Sequence, residues 1–113
     1  YVLEPLRHAP FLAADLGLTA ASALRLSPAF MPAPQRGSLA TVVGGNESEE
    51  FLRQADLIAQ AWGARVVAAE RIAKRNHMDV LNELADPRST TYRLALQLLG
   101  LLSPPRTPLP ASP

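Results

Sequence analysis

The sequence has 113 residues, of which 48% are hydrophobic and 19% are charged, and its formal net charge is +1. This balance is typical of a globular protein, and the basic residues are scattered, which argues against nucleic-acid or anionic-membrane partners. No apolar run approaches the roughly 20 residues that span a bilayer. The absence of Cys excludes a thiolate nucleophile and fits a reducing compartment, so we expect a cytoplasmic protein.

The first third of the chain contains many prolines and predicts only short elements. Residues 1–3 have the pattern of the end of a strand, because Pro5 lacks an N–H for strand pairing and restricts the residue before it. Residues 18–26 predict a short helix that Thr19 can cap. A proline-containing connector follows at residues 28–37.

Two later segments predict neighbouring strands of a parallel sheet. Residues 39–43 are a continuous apolar run ended by Gly44, which is typical of a parallel strand buried on both faces. Residues 64–72 predict the next strand. We therefore expect an α/β fold with a mostly parallel sheet flanked by helices. Because so few strands cannot cover themselves, we expect further parts of the sheet outside these residues.

The segment between the strands, residues 48–62, predicts an amphipathic helix. Asn46 and Glu49 can form a capping box at its start, and Gly63 suits its end. Its apolar residues recur at helical spacing and predict an inner stripe of Phe51, Ala55, Ile58 and Trp62.

After the second strand the sequence predicts two more helices and a tail. Residues 78–86 indicate a short helix, and residues 90–102 a last amphipathic helix. Residues 103–113 form a Pro-rich tail that adds no core element. The expected organisation is one α/β part at residues 1–102 and a tail beyond it. The expected inner stripe of the last helix is Tyr92, Ala95, Leu96 and Leu99.

Glu47 and His77 are the candidate site residues. Each follows one of the two predicted strands, so both lie at the same edge of a parallel sheet. A Ser nucleophile needs His as a base and a carboxylate that fixes the His tautomer, and α/β-hydrolases carry acid and base in this order. Taken singly, Glu47 could complement a helix dipole and His77 could cap a helix. Their joint placement favours a catalytic pair.

The nucleophile of such a triad is missing from the sequence. No Gly-X-Ser-X-Gly motif occurs, and Ser48 is interpreted as a helix-start residue because no Gly-flanked elbow surrounds it. Asp79 is a fallback for the acid, although two residues at i and i+2 of a helix point apart. His8 has no companion at metal-ligand spacing and is interpreted as a surface residue.

Residues 43–54, with the sequence VGGNESEEFLRQ, resemble bacterial kynurenine formamidases (arylformamidases) and related α/β-hydrolase esterases. Those proteins carry an acid, a short gap, then Glu-Phe and Arg-Gln at this place. The resemblance continues through AWG at residues 61–63, Asn76-His77 and LADP at residues 84–87, and it covers nearly everything up to about Gly100.

The resemblance implies that Glu47 is the triad acid and His77 the triad base. It implies hydrolysis of N-formylkynurenine to kynurenine and formate, without a metal or organic cofactor. The implied partners are a small formamide or ester substrate and an N-terminal half, in the same protein or a second chain, that carries the Ser and the oxyanion segment. A homodimer is left open. Phe30 and Met31 are candidates for substrate specificity.

The sequence leaves two alternative functions open. A carboxylesterase acting on small acyl or aryl esters would use the same residues. A non-catalytic fragment or binding module would use Glu47 and His77 only as helix caps, and its strand edge to recruit a partner. A Glu47 carboxylate within hydrogen-bond reach of a His77 ring nitrogen is expected for the enzyme and not for the binding module.

Overall fold

The computed structural model describes residues 1–102, which fold as a mixture of helices and a parallel sheet. They belong to two compact units, Tyr1–Val80 and a second unit that begins at Leu81. The first unit contains, in chain order, a 3₁₀ helix (Glu4–His8), α1 (Ala13–Leu16), α2 (Ala20–Leu26), a 3₁₀ helix (Pro28–Phe30), β1 (Leu39–Gly44), α3 (Glu49–Trp62), a 3₁₀ helix (Gly63–Arg65) and β2 (Val66–Ile72).

A 3₁₀ helix at Val80–Ala85 leads into the second unit, which contains α4 (Thr90–Leu98). The sequence predicted a longer last helix, and that boundary was wrong. Gly100 adopts a left-handed backbone with φ of 70°, the conformation in which glycine commonly ends helices. Leu99 was predicted to belong to the inner stripe of this helix, but it is 70% exposed and does not face a core. The predicted tail at residues 103–113 lies outside the described residues.

β1 and β2 pair in parallel, as predicted, and form a two-stranded sheet within the described part of the chain. β1 is buried or half-buried along its length, whereas every second residue of β2 is exposed. The register ends level, with Gly44 opposite Ile72. The loops that leave the two strands therefore start side by side at one edge of the sheet.

α3 confirms the predicted helix between the strands. Ala55 and Ile58 are buried at 9% and 0% exposure, and the Trp62 indole N–H donates a hydrogen bond of 3.1 Å to the Pro28 carbonyl. Phe51, the first member of the predicted stripe, is 47% exposed and does not join this core. Apolar burial along the middle of α3 thus holds the helix on the sheet.

Two local predictions for the first unit were wrong. Residues 1–3 are not a strand, because the Val2 N–H and C=O are bonded by the side-chain amide of Gln54 at 2.7 and 3.0 Å. The capping box at α3 is absent, and Ser48 is the N-cap without a side-chain bond. α2, by contrast, begins at the predicted cap, where Thr19 Oγ1 accepts the Ser22 N–H.

Within residues 1–102 no helix is long and apolar enough to cross a membrane.

Candidate active site

The loops after β1 and β2 are bonded directly to each other. The Gly45 N–H donates to the Ile72 carbonyl at 2.8 Å, and the Asn46 N–H donates to the Arg75 carbonyl at 2.9 Å. The Asn46 N–H is therefore bonded across the sheet edge and is not left for the Glu49 side chain, as the predicted capping box would require. Gly44 permits the approach, since a Cβ at this position would stand 2.3 Å from the Arg75 carbonyl oxygen. Real Cβ contacts are not this short, so the residue must be glycine for the loops to meet.

Substituting Gly44 with alanine should push the two loops apart. We expect a loss of stability of about 1–3 kcal/mol, as for overpacking elsewhere in protein interiors, together with loss of the contact between Glu47 and His77. The comparison variant is Gly45→Ala, whose Cβ would stand 3.3 Å from the Ile72 carbonyl oxygen and should cost less. Urea unfolding of both variants tests this, and an equal or larger loss for Gly45→Ala would contradict it.

Glu47 lies in the loop between β1 and α3 with a side chain that is only 4% exposed. Its Oε1 accepts the Gly44 N–H at 2.9 Å, and its Oε2 lies 2.9 Å from His77 Nδ1. A buried carboxylate is costly unless its oxygens are hydrogen-bonded, and both oxygens are bonded here. Neither bond goes to an amide at the start of α3. The structure therefore brings together the acid and the base that the sequence singled out.

His77 is held in place by the turn around it. Asn76 Oδ1 accepts the backbone N–H groups of Met78 and Asp79 at 2.8 and 3.1 Å, and Asp79 Oδ1 accepts the Asn76 N–H at 2.6 Å. These reciprocal bonds resemble a capping box and leave the imidazole of His77 free of a capping role. They also engage the carboxylate of Asp79, so the acid that contacts His77 is Glu47 and not the fallback.

The two nitrogens of the His77 ring have different surroundings. Nδ1 is bonded to Glu47, and a carboxylate partner requires a proton on that nitrogen. Nε2 has no hydrogen-bond partner among residues 1–102, and the side chain is 62% exposed. In the neutral ring Nε2 is then the unprotonated nitrogen. A carboxylate-oriented imidazole with an available Nε2 can take a proton from a hydroxyl group or a water molecule.

Phe51 is a neighbour of the site that the sequence did not identify. Its ring centroid lies 4.6 Å from that of His77, with 30° between the ring planes. The helical pattern assigned Phe51 to the core, although it stands in the first turn of α3, next to the loop of Glu47. The closeness of Phe51 to Glu47 in sequence was the signal that could have placed it near the site.

Glu50, in the first turn of α3, is not a competitor for His77. Arg53 donates to both oxygens of Glu50 at 2.7 and 2.8 Å. This bonding, followed by a hydrogen bond from Gln54, lowers the pKa of Glu50 to about 2. Glu50 therefore stays ionised near neutral pH with its own partners, and Glu47 alone in this loop serves the imidazole.

The remaining candidate residues lie apart from this pair. His8 Nε2 lies 3.3 Å from Glu4 in the same 3₁₀ helix, with a side chain that is 70% exposed, as expected of a surface residue. Phe30 lines a pocket of about 370 Å³ that includes neither Glu47 nor His77. Met31 is 41% exposed. Within residues 1–102 no three His, Cys, Asp or Glu side chains are grouped to hold a metal ion.

No family model matches the chain, and no curated protein or solved structure matches it either. The resemblance to kynurenine formamidases stays a prediction from the sequence.

Proposed function

We propose that this chain supplies the acid and the base of a Ser-His-Glu triad in an α/β-hydrolase, with the Ser provided by residues outside the sequence. The observation that carries the proposal is the 2.9 Å bond between Glu47 Oε2 and His77 Nδ1. It joins two loops at the carboxyl edge of a parallel sheet, which is where α/β folds bind ligands. A pair of helix caps would need no such bond between them.

The chemistry follows from the protonation of the ring. His77 Nε2 takes the proton of the Ser hydroxyl as the oxygen attacks the carbonyl carbon, and the imidazolium then lies against the Glu47 carboxylate. Collapse of the tetrahedral intermediate breaks the bond to the leaving group, which receives that proton from Nε2. Water then attacks the acyl-enzyme by the same route and releases the acid. Glu47 acts by fixing the tautomer and by stabilising the imidazolium.

The substrate class that we propose is a formamide, N-formylkynurenine, which would yield kynurenine and formate. The support is the sequence resemblance at residues 43–54. The nucleophile-bearing half, in the same protein or a second chain, is the partner that the proposal requires. The cytoplasm is the proposed compartment, because a chain without Cys fits a reducing environment.

The test uses protein purified from its native source. A fluorophosphonate probe, which labels activated Ser residues, is applied while hydrolysis of N-formylkynurenine and of p-nitrophenyl acetate is measured. We expect a labelled Ser on a polypeptide that contains or accompanies these residues, with formamide hydrolysis lost on labelling. Mass spectrometry of the labelled peptide identifies the nucleophile.

Other outcomes would redirect or overturn the proposal. Hydrolysis of the ester alone would place the enzyme among carboxylesterases with the same triad. A polypeptide no longer than these 113 residues, without a labelled partner and without either activity, would contradict catalysis and favour the binding module.

A further inference from the structure

The bond to Glu47 does not by itself fix the direction in which His77 Nε2 points. The imidazole turns about the two side-chain torsions χ1 and χ2, and one hydrogen bond at Nδ1 restricts these two torsions only in part. The ring has no second hydrogen bond within residues 1–102, and the side chain is 62% exposed. A contact on the face of the ring would therefore add a restraint that the bond to Glu47 does not supply.

Phe51 provides such a contact. The centroid separation of 4.6 Å and the interplanar angle of 30° describe a tilted stack, within the range of favourable aromatic pairs. Phe51 belongs to the first turn of α3, which follows directly on the loop of Glu47. Both contacts of the imidazole thus come from one short segment, and they act in different directions, one along the ring plane and one on its face.

We propose that Phe51 is a positioning residue for His77, which restricts rotation of the imidazole while Glu47 holds Nδ1. The ring restraint stands on the geometry alone, whereas its catalytic consequence rests on the proposed function. An aromatic face also attracts a cation, so Phe51 would favour the imidazolium formed when Nε2 takes a proton. The half-exposed ring suits this task better than a core role.

The first experiment reads the imidazole directly and does not depend on activity. Nitrogen-15 NMR of the complete protein, labelled at histidine, reports the tautomer of each ring. We expect His77 to hold its proton on Nδ1 through Glu47, and we expect Phe51→Leu to shift and broaden the His77 ring signals because the imidazole gains rotational freedom. Phe51→Tyr should restore the wild-type signals. His8, whose ring lies next to the exposed Glu4, supplies an internal reference within this chain.

A control variant separates this effect from a general loss of structure. Phe11 is 80% exposed, and Phe11→Leu removes the same ring without touching His77. It should leave the His77 signals unchanged. Identical His77 spectra in wild type and Phe51→Leu, with thermal unfolding showing both to be folded, would overturn the proposal.

The second experiment separates positioning from substrate contact, because Phe51 also lines an apolar pocket of about 210 Å³ together with Pro5 and Leu6. A positioning role predicts that Phe51→Leu lowers kcat about 10- to 100-fold, the loss typical of misplaced catalytic groups, with KM little changed. A raised KM with unchanged kcat would overturn it in favour of a pocket wall. An inactive wild type with altered His77 spectra in Phe51→Leu would contradict the proposed function while supporting the ring restraint.

Discussion

Replacing His77 with alanine is expected to lower kcat by a factor on the order of 10⁶ in the complete protein, because the triad then has no base. Residual hydrolysis would come from substrate binding and oxyanion stabilisation. The fold should survive, since the side chain of His77 is 62% exposed and water can take its place beside Glu47. Glu47 also keeps its bond from the Gly44 N–H. Steady-state hydrolysis of N-formylkynurenine and thermal unfolding measure the two effects.

Two variants control this result. His77→Gln places an amide donor near Glu47 but offers no base, so it should be as inactive as the alanine variant. His8→Gln changes the other of the two histidines in the sequence, at a surface position, and should retain full activity. A kcat within tenfold of wild type for His77→Ala would remove His77 from the mechanism and with it the proposed triad.

The placement of Glu47 and His77 at one sheet edge could be predicted because it follows from the strand topology, although their contact also needs Gly44 between the loops. Parallel strands that end level bring the residues that follow them to one edge, whatever the details of the loops. The apolar runs of β1 and β2 and the helical period between them are strong signals. The pair is 30 positions apart in sequence, and Glu47 Oε2 lies 2.9 Å from His77 Nδ1. The local roles open to each residue, dipole partner and helix cap, did not prevent the prediction because the topology placed both residues at one edge.

Features decided by competition between local and long-range bonds could not be predicted. Asn46 has the residue type and spacing of a helix cap, yet its backbone N–H is bonded to Arg75 in the other loop. Val2 is a residue type that favours strands, yet its backbone N–H and C=O are both hydrogen-bonded to the side-chain amide of Gln54. In each case a partner distant in sequence offers the bond that the local pattern assigned elsewhere.

The misassignment of Phe51 has a geometric cause. A helical stripe faces the sheet only where the helix lies over the sheet, and the first turn of α3 adjoins the edge where the two loops emerge. Ala55 and Ile58, one and two turns further on, are buried as the stripe predicts. The ring of Phe51 meets the loop of His77 instead. The end of α4 was predicted wrongly, at residue 102, although Gly100 is the residue type that commonly follows a helix and gave a signal for the earlier end.

Replacing Glu47 with glutamine should lower kcat by about 10⁴-fold through the tautomer of His77. The Gly44 N–H donates to one oxygen of Glu47, so in the variant the amide oxygen must take that place and the amide NH₂ must face His77. Nδ1 then has to accept a hydrogen bond, which moves the ring proton to Nε2. A protonated Nε2 cannot take a proton from the Ser. Histidine nitrogen-15 NMR should therefore show the opposite tautomer from wild type, with kcat reduced and thermal stability little changed.

The matched control is Glu49→Gln, which removes an exposed acid in the first turn of the same helix. It should cost no more than about 0.3–1 kcal/mol through the helix dipole and leave kcat unchanged. If Glu47 served the dipole alone, Glu47→Gln would behave in the same way as this control. Loss of activity with retained stability in Glu47→Gln, set against the reverse pattern in Glu49→Gln, separates an acid that orients a base from one that only stabilises a helix.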